Sequence, residues 1–229
     1  MRQMKRYAIY YTPPPGAFVT ASAAWLGYDV QTARDVAQPV IAGLAGSLAD
    51  ATQGARKYGF HGTLKAPFRL AEGFKAPDLA QATRRLAAGL APVEMAGLQM
   101  VDLQGFLAFV PTGDAAPLTE LAAHVVRSLD PYRAPLTDAE IARRKPDQLT
   151  PRQRDLLAMY GYPHVMEEFR FHLTLSDHVS SADQAALAIA AARHFDGVLP
   201  QPFVLSDICL MGEDGAGRFH LMGRYPLTL

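Results

Sequence analysis

The chain has 229 residues, of which 49% are hydrophobic and 19% charged, with 22 basic and 22 acidic side chains. This composition is that of a folded globular protein and argues against global disorder. A formal net charge of zero makes long nucleic acid a poor default partner, whereas a small anionic substrate needs only a local basic pocket. No stretch is apolar for long enough to span a bilayer or to act as an export signal, so no membrane partner is expected.

The number of cysteines indicates the cellular compartment and limits the kinds of metal site that are possible. The single cysteine, Cys209, excludes an internal disulfide and a thiolate metal site, so a reducing, cytoplasmic location is expected. His178 follows His172 at a spacing that could suit a metal pair, but no third ligand is patterned nearby. We therefore expect no metal and no other cofactor.

Strands are predicted where β-branched and aromatic residues cluster, and helices where apolar residues recur at helical spacing. The first strand, Arg6–Tyr11, is ended by three prolines. The other elements predicted in the first half are a strand Lys57–Leu64, a helix opening at Asp78, strands Val93–Val101 and Phe106–Val110, and a helix Pro117–Leu129.

The second half repeats this order after residues 131–163, a proline- and arginine-rich stretch that is expected to be a partly helical, basic connection. Its predicted elements are a strand Glu168–Leu175, a helix Ser181–His194 and a terminal hairpin pairing Pro202–Leu210 with Arg218–Tyr225. The repeat predicts an α+β fold for residues 1–229, with two pseudo-symmetric lobes facing across a cleft, each a mainly antiparallel sheet with helices outside. The lobes are expected at about residues 1–130 and 164–229, and exchange of strands between them is left open.

Each half carries one His-x-Thr-Leu motif within a predicted strand: His61-Gly62-Thr63-Leu64 and His172-Leu173-Thr174-Leu175. Side chains alternate faces along a strand, so each histidine is expected to share a face with its threonine. The same alternation adds Lys65 to the first polar face and Arg170 and Ser176 to the second. The other face of the second strand is apolar throughout (Phe169, Phe171, Leu173, Leu175).

Two imidazoles, each with a hydroxyl neighbour, suit in-line attack on a phosphodiester. One imidazole takes the proton of the nucleophile and the other protonates the departing oxygen, which histidine can do near neutral pH. Threonine hydroxyls can donate to the non-bridging oxygens. A lone histidine in a strand is more often structural, but the repeated pairing favours His61 and His172 as catalytic and Thr63 and Thr174 as phosphate-binding.

Several further side chains are weaker candidates for substrate binding. Lys65 and Arg170 could equally form a rim salt bridge, and an arginine-rich helix face is usually solvated. Aromatic residues in strands are usually core. The weaker candidates are Tyr10, Lys65, Tyr132, Arg133, Arg143, Arg144 and Arg170.

The paired motifs resemble those of the 2H phosphoesterase superfamily. More of the chain resembles the phosphonate-metabolism proteins of that superfamily, which are encoded among carbon–phosphorus lyase genes. The matching strings are Arg6-Tyr7-Ala8-Ile9-Tyr10, Trp25-Leu26-Gly27, Tyr58 to Lys65, Arg133-Ala134-Pro135, Ala142-Arg143-Arg144, Gly161-Tyr162-Pro163 and Phe169 to His172.

The resemblance implies a bilobal α+β fold and metal-independent hydrolysis of a small cyclic phosphodiester such as a ribose cyclic phosphate. It also implies that His61 acts as the acid and His172 as the base. Two alternatives stay open: a 2′,3′-cyclic phosphodiesterase or ligase acting on RNA ends, and a non-catalytic module that binds a phosphorylated metabolite. The sequence leaves the oligomeric state open.

Overall fold

The computed structural model describes residues 4–229, which form strands and helices over most of their length. The strands are β1 (Arg6–Tyr11), β2 (Tyr28–Asp29), β3 (Arg34–Asp35), β4 (Gly62–Phe68), β5 (Val93–Met95), β6 (Gly97–Asp102), β7 (Leu107–Thr112), β8 (Leu173–Thr174), β9 (Phe203–Leu205), β10 (Asp207–Glu213) and β11 (Phe219–Pro226). The α-helices are α1 (Ala17–Leu26), α2 (Leu48–Ala51), α3 (Gln53–Arg56), α4 (Ala76–Ala88), α5 (Ala116–Leu129), α6 (Asp138–Ala142), α7 (Pro151–Tyr160) and α8 (Ser181–His194). Short 3₁₀ turns lie at Asp130–Tyr132, Pro146–Gln148 and Met166–Glu168.

Within residues 4–229, seven strands form one antiparallel sheet in the order β11-β10-β1-β4-β8-β7-β6. The predicted α+β class with mainly antiparallel pairing is confirmed. The two motif strands, β4 and β8, are neighbours in this sheet and are joined through the single pair Gly62 and Leu173. The strands of the two predicted lobes therefore meet edge to edge in one sheet.

Each half of the sheet draws strands from both halves of the sequence. The terminal hairpin, β10 and β11, pairs with β1, so it lies beside the first motif and not beside the second. Conversely, β6 and β7 lie beside the second motif strand, β8. Strands from both stretches of sequence thus contribute to each half of the sheet, an exchange that the sequence left open.

The two faces of the sheet have different cover. Ile9 and Tyr11 of β1 belong to the main core, together with apolar residues of α1, α4, α5 and α8. Ala8 and Tyr10 face the other way and belong to a smaller cluster. Since every residue from Tyr7 to Tyr11 is buried, β1 is covered on both faces, as expected for a central strand. The helices cover the face of the sheet that bears Ile9 and Tyr11, and the motif histidines and threonines lie on the opposite face.

Some element boundaries differ from the sequence prediction. The strand predicted from Lys57 begins only at Gly62, because residues 57–59 turn away after α3. The strand predicted over Glu168–Leu175 is reduced to Leu173–Thr174. Residues 169–175 nevertheless alternate between buried and more exposed, so the predicted apolar face is present in the core. Between residues 4 and 229, none of the helices has both the length and the apolar character that a membrane crossing requires.

Candidate active site

The four motif side chains meet at the junction of β4 and β8. Gly62 pairs with Leu173 in antiparallel register, and both are buried on the core face. One residue further along in each direction, this register places His61 opposite Thr174, and Thr63 opposite His172, on the other face. Directly opposite residues of an antiparallel pair have Cβ atoms about 5 Å apart. The two motifs therefore form a compact, crosswise set of two imidazoles and two hydroxyls.

Gly62 allows the two motif strands to approach this closely. A Cβ at this position would lie 2.3 Å from the Phe171 ring and 3.2 Å from the Leu173 side chain. Any side chain here would push β4 away from the aromatic packing under β8. The glycine of the first motif therefore serves the core face, while its neighbours serve the site.

Both motif histidines are held in the same way by the backbone. The Nδ1 of His61 lies 2.8 Å from the carbonyl oxygen of Gly59, and the Nδ1 of His172 lies 2.8 Å from that of Arg170. A carbonyl oxygen can only accept, so Nδ1 donates in each case and the neutral ring carries its lone pair on Nε2. The Nε2 of His61 lies 3.2 Å from Oγ1 of Thr63, which can donate to it.

The His61 ring is enclosed by aromatic side chains. It stacks on Tyr10 with centroids 3.9 Å apart and an interplanar angle of 24°. The Tyr58 ring lies 5.9 Å away. The pKa of His61 is lowered to about 4, chiefly by burial and to a lesser extent by the nearby His172 imidazole, against the opposing effect of the Gly59 carbonyl. The free protein therefore holds His61 neutral at physiological pH.

A pocket of about 530 Å³ opens over this face of the sheet. Its wall includes His61, Thr63 and Thr174 together with aromatic, cationic and acidic side chains. These are Tyr10, Tyr58, Tyr162, Arg6, Lys57, Arg143, Arg144, Glu140 and Asp177. The ring of His172 is not part of this wall; it packs edge-on to Phe106, with centroids 5.8 Å apart. The volume is in the range of small-molecule sites.

Lys65 and Arg133 do not line this pocket, and both are engaged in ion pairs instead. Lys65 is buried, and its Nζ lies 2.9 Å from the Asp130 carboxylate. Arg133 pairs with the same carboxylate through two nitrogens. A bulge at Leu64 interrupts the pairing of β4 with β1, so the strict alternation that placed Lys65 beside Thr63 does not hold. The two cations instead stabilise the 3₁₀ turn that contains Asp130.

Tyr132 and Arg170 are also placed away from the pocket wall, and Ser176 is not on the polar face. Tyr132 packs against Phe74 with ring centroids 4.6 Å apart. The Arg170 guanidinium donates to the backbone carbonyls of Glu167 and Phe169. Ser176 is buried, and its hydroxyl accepts from the backbone N–H of Leu107. Polar pattern alone did not separate these residues from those that line the site.

The remaining candidates do reach the pocket. Arg143 and Arg144 line it at the end of α6, and the Arg144 guanidinium lies 4.8 Å over the Tyr162 ring. Tyr10 also lines it, but one face of its ring is occupied by His61, so it cannot stack a base or sugar on that face. It shapes and buries the imidazole instead.

Sequence reasoning missed five charged or aromatic residues of the wall: Arg6, Lys57, Tyr162, Glu140 and Asp177. It set Tyr58 aside as core. Arg6, Tyr58 and Tyr162 lie within the strings that carried the family resemblance, so that resemblance was the available signal. Lys57, Glu140 and Asp177 lie outside those strings, and no sequence signal marked them.

The model of a protein family described as "protein of unknown function (DUF1045)" matches residues 63–220 of the chain. This is more than half of its length. The chain is a member of the DUF1045 family. Among curated proteins, it is 36% identical over 220 residues to the ribose 1,5-bisphosphate phosphokinase PhnN of Janthinobacterium sp. (strain Marseille), covering 93% of this chain and 49% of that protein. The protein of the same name from Laribacter hongkongensis (strain HLHK9) is 36% identical over 213 residues, with the same coverage.

This DUF1045 chain thus spans about half the length of the curated relatives it matches. Among solved structures, E. coli LigT complexed with 3′-AMP aligns with a TM-score of 0.45 and 14% identity, covering 99% of this chain and 100% of LigT. The protein TT0787 of Thermus thermophilus aligns with a TM-score of 0.45 and 15% identity, covering 97% and 98% of the two chains.

Proposed function

We propose that this DUF1045 protein is a metal-independent phosphodiesterase that hydrolyses a small cyclic phosphodiester, such as a ribose cyclic phosphate, in phosphonate metabolism. The observation that carries the proposal is the crosswise set of His61, Thr63, His172 and Thr174 at the β4–β8 junction. Each histidine is fixed through Nδ1, so Nε2 is the ring nitrogen that can exchange a proton with a bound molecule; for His61 this requires the Thr63 hydroxyl to turn from Nε2 to the phosphate.

The geometry suggests a division of labour between the two histidines. In the proposed reaction, the Nε2 of neutral His61 takes a proton from water, whose oxygen attacks phosphorus. The bond from phosphorus to the leaving oxygen breaks, and protonated His172 gives that oxygen its proton. The low pKa of His61 supports this order, which is the reverse of the one implied by the family resemblance. Thr63 and Thr174 donate to the non-bridging oxygens as negative charge builds up on them.

Two observations support a small, phosphorylated sugar as the substrate. A pocket of about 530 Å³ accommodates a sugar phosphate without an extended groove for a polymer. The curated relatives join a segment like this chain to a second segment of similar length, and their name refers to ribose 1,5-bisphosphate. A phosphodiesterase acting on a phosphorylated ribose fits beside such an activity, and the link to phosphonate metabolism rests on the family resemblance.

The test is a panel of ribose cyclic phosphates, cyclic nucleotides and RNA ends, each assayed with and without a chelator. We expect the protein to hydrolyse a ribose cyclic phosphate, and we expect the chelator to leave the rate of hydrolysis unchanged. His61→Gln and His172→Gln should each reduce kcat by about 100-fold or more, since general acid–base catalysis contributes on that scale. His178→Gln is the matched control, because this exposed histidine belongs to neither His-x-Thr motif.

Other outcomes reject the proposal in distinguishable ways. Loss of activity with the chelator rejects the metal-independent mechanism. Preferential cleavage of RNA ends, with binding that weakens at higher salt, identifies the RNA enzyme instead. Ligand binding without turnover of any compound in the panel identifies a non-catalytic binding module.

A further inference from the structure

The pocket wall has more positive charge than the reaction at the histidines requires. Its cations are Arg6, Lys57, Arg143 and Arg144. Arg6 forms a two-nitrogen ion pair with Glu213, at 2.7 Å for the Nη2 contact. Among residues 4–229, the other three cations have no carboxylate within salt-bridge distance.

The two acidic residues of the wall are already engaged elsewhere. The Glu140 carboxylate accepts from the Arg69 guanidinium at 2.9 Å and from the N-terminal turn of α6 through Thr137. Asp177 accepts from the backbone N–H groups of Gly54 and Ala55 at the start of α3. Three cations therefore face the pocket without a carboxylate partner, whereas a single phosphodiester carries one negative charge.

The fold fixes the position of α6 and of the two arginines that follow it. Arg69 directly follows β4, and its guanidinium also donates to the carbonyl of Pro135 at 2.7 Å. It lowers the pKa of Glu140 to about 2, so this ion pair persists across the physiological range. The short helix is thereby tied to the first motif strand. Arg143 and Arg144 directly follow Ala142, the last residue of this helix, and line the pocket.

The orientation of Arg144 is fixed by a second contact. Its guanidinium lies over the Tyr162 ring, which limits its rotation and leaves its N–H groups to donate at the ring's edge. Planar guanidinium groups bind phosphate through paired hydrogen bonds. Arg144 is half-buried and Arg143 is exposed. A pair of neighbouring guanidiniums without carboxylate partners suits a phosphate dianion.

We propose that the substrate carries a second phosphate, a monoester, which Arg143 and Arg144 bind while the diester lies against the histidines and threonines. This inference rests on the proposed function and narrows its substrate class to a cyclic phosphodiester of a sugar that is also phosphorylated at a distant hydroxyl. Lys57, over the Tyr58 ring at 5.1 Å, adds a third positive charge to the same wall.

The test compares two substrates that differ only in the second phosphate: a ribose cyclic phosphate with and without a phosphate on its 5-hydroxyl. We expect the phosphorylated compound to have a kcat/KM higher by about 10-fold or more, since charge-assisted hydrogen bonds are the strong ones. In Arg143→Gln and Arg144→Gln, the ratio of kcat/KM for the phosphorylated compound to kcat/KM for the unphosphorylated one should fall toward one. Arg85→Gln, on the exposed surface of α4, is the matched control and should keep the wild-type ratio. Circular dichroism checks that each variant is folded.

A binding arm separates this inference from the proposed function. Ribose 5-phosphate carries only the monoester, so calorimetry should detect its binding to wild type and a loss of about 10-fold in Arg143→Gln. If it binds in this way but neither cyclic compound is hydrolysed, the phosphate subsite stands and the phosphodiesterase proposal fails. If both cyclic compounds are hydrolysed equally well, or ribose 5-phosphate binds Arg143→Gln as tightly as wild type, the second-phosphate inference is wrong.

Discussion

Gly62→Ala tests whether the junction of β4 and β8 is as tightly packed as the structure indicates. The added Cβ would lie 2.3 Å from the Phe171 ring. Carbon atoms prefer separations of about 3.5 Å or more, so the ring must move by about 1 Å. That ring is itself packed against Tyr11 and Phe203 at centroid distances of 6.1 and 5.8 Å. It has little room to yield.

The expected cost follows from two opposing effects. Overpacking a well-packed core costs about 1–3 kcal/mol. Replacing glycine also restricts the unfolded chain, which offsets about 0.4–1 kcal/mol. We therefore expect Gly62→Ala to lower the free energy of unfolding by about 1–2 kcal/mol. Because the strain separates β4 from β8, turnover should fall with it.

Urea unfolding measures this difference directly. Gly215→Ala is the control, because a Cβ there meets nothing within 4 Å and the expected change is below about 0.5 kcal/mol. Phe171→Leu should relieve the clash, so the double variant should be more stable than the sum of the single changes predicts. If Gly62→Ala is as stable as Gly215→Ala, the close contact with Phe171 does not constrain the junction and our account of this glycine is wrong.

The low pKa of His61 predicts that the protein loses stability as the pH falls from about 6.5 to about 4, because over that range the unfolded chain takes up a proton that the folded protein excludes. The loss of unfolding free energy is at most about 3 kcal/mol and is absent above this pH range. The urea midpoint of His61→Gln should therefore fall less than that of wild type between pH 7.5 and pH 5. An equal fall in the two proteins would contradict the assigned pKa. Lys65→Met should cost about 1–3 kcal/mol of unfolding free energy, because it leaves Asp130 with Arg133 as its remaining ion-pair partner. The same variant should bind ribose 5-phosphate as wild type does; weakened binding in calorimetry would return Lys65 to the site.

Local pattern was enough to predict the two motif faces. Alternation along a strand depends only on the residues of that strand, so the apolar face of Phe169 to Leu175 and the shared face of His172 and Thr174 could be predicted directly. Alternation failed at Lys65, because the bulge at Leu64 depends on how β4 pairs with β1. A bulge leaves no mark in the sequence of one strand.

Long-range placement was not available from the sequence. Nothing in either motif shows that β4 and β8 are neighbours, although the pairing of Gly62 with Leu173 organises the whole candidate site. Arg143 and Arg133 look alike as arginines in a basic segment, yet one lines the pocket and the other pairs with Asp130. That difference is set by the tie between Arg69 and Glu140, which joins segments 71 residues apart.

The pairing of β1 with β10 affects the order in which the protein can fold. Arg6 pairs across the sheet with Glu213, so β1 acquires its neighbour β10 only after more than 200 intervening residues have been synthesised. Contacts this distant in sequence slow folding, because a long loop must close before they contribute. A nascent chain can therefore pair the second motif strand, β8, with β7 and β6 while Tyr10 and His61 still lack the hairpin formed by β10 and β11. The imidazole with the lowered pKa is completed last.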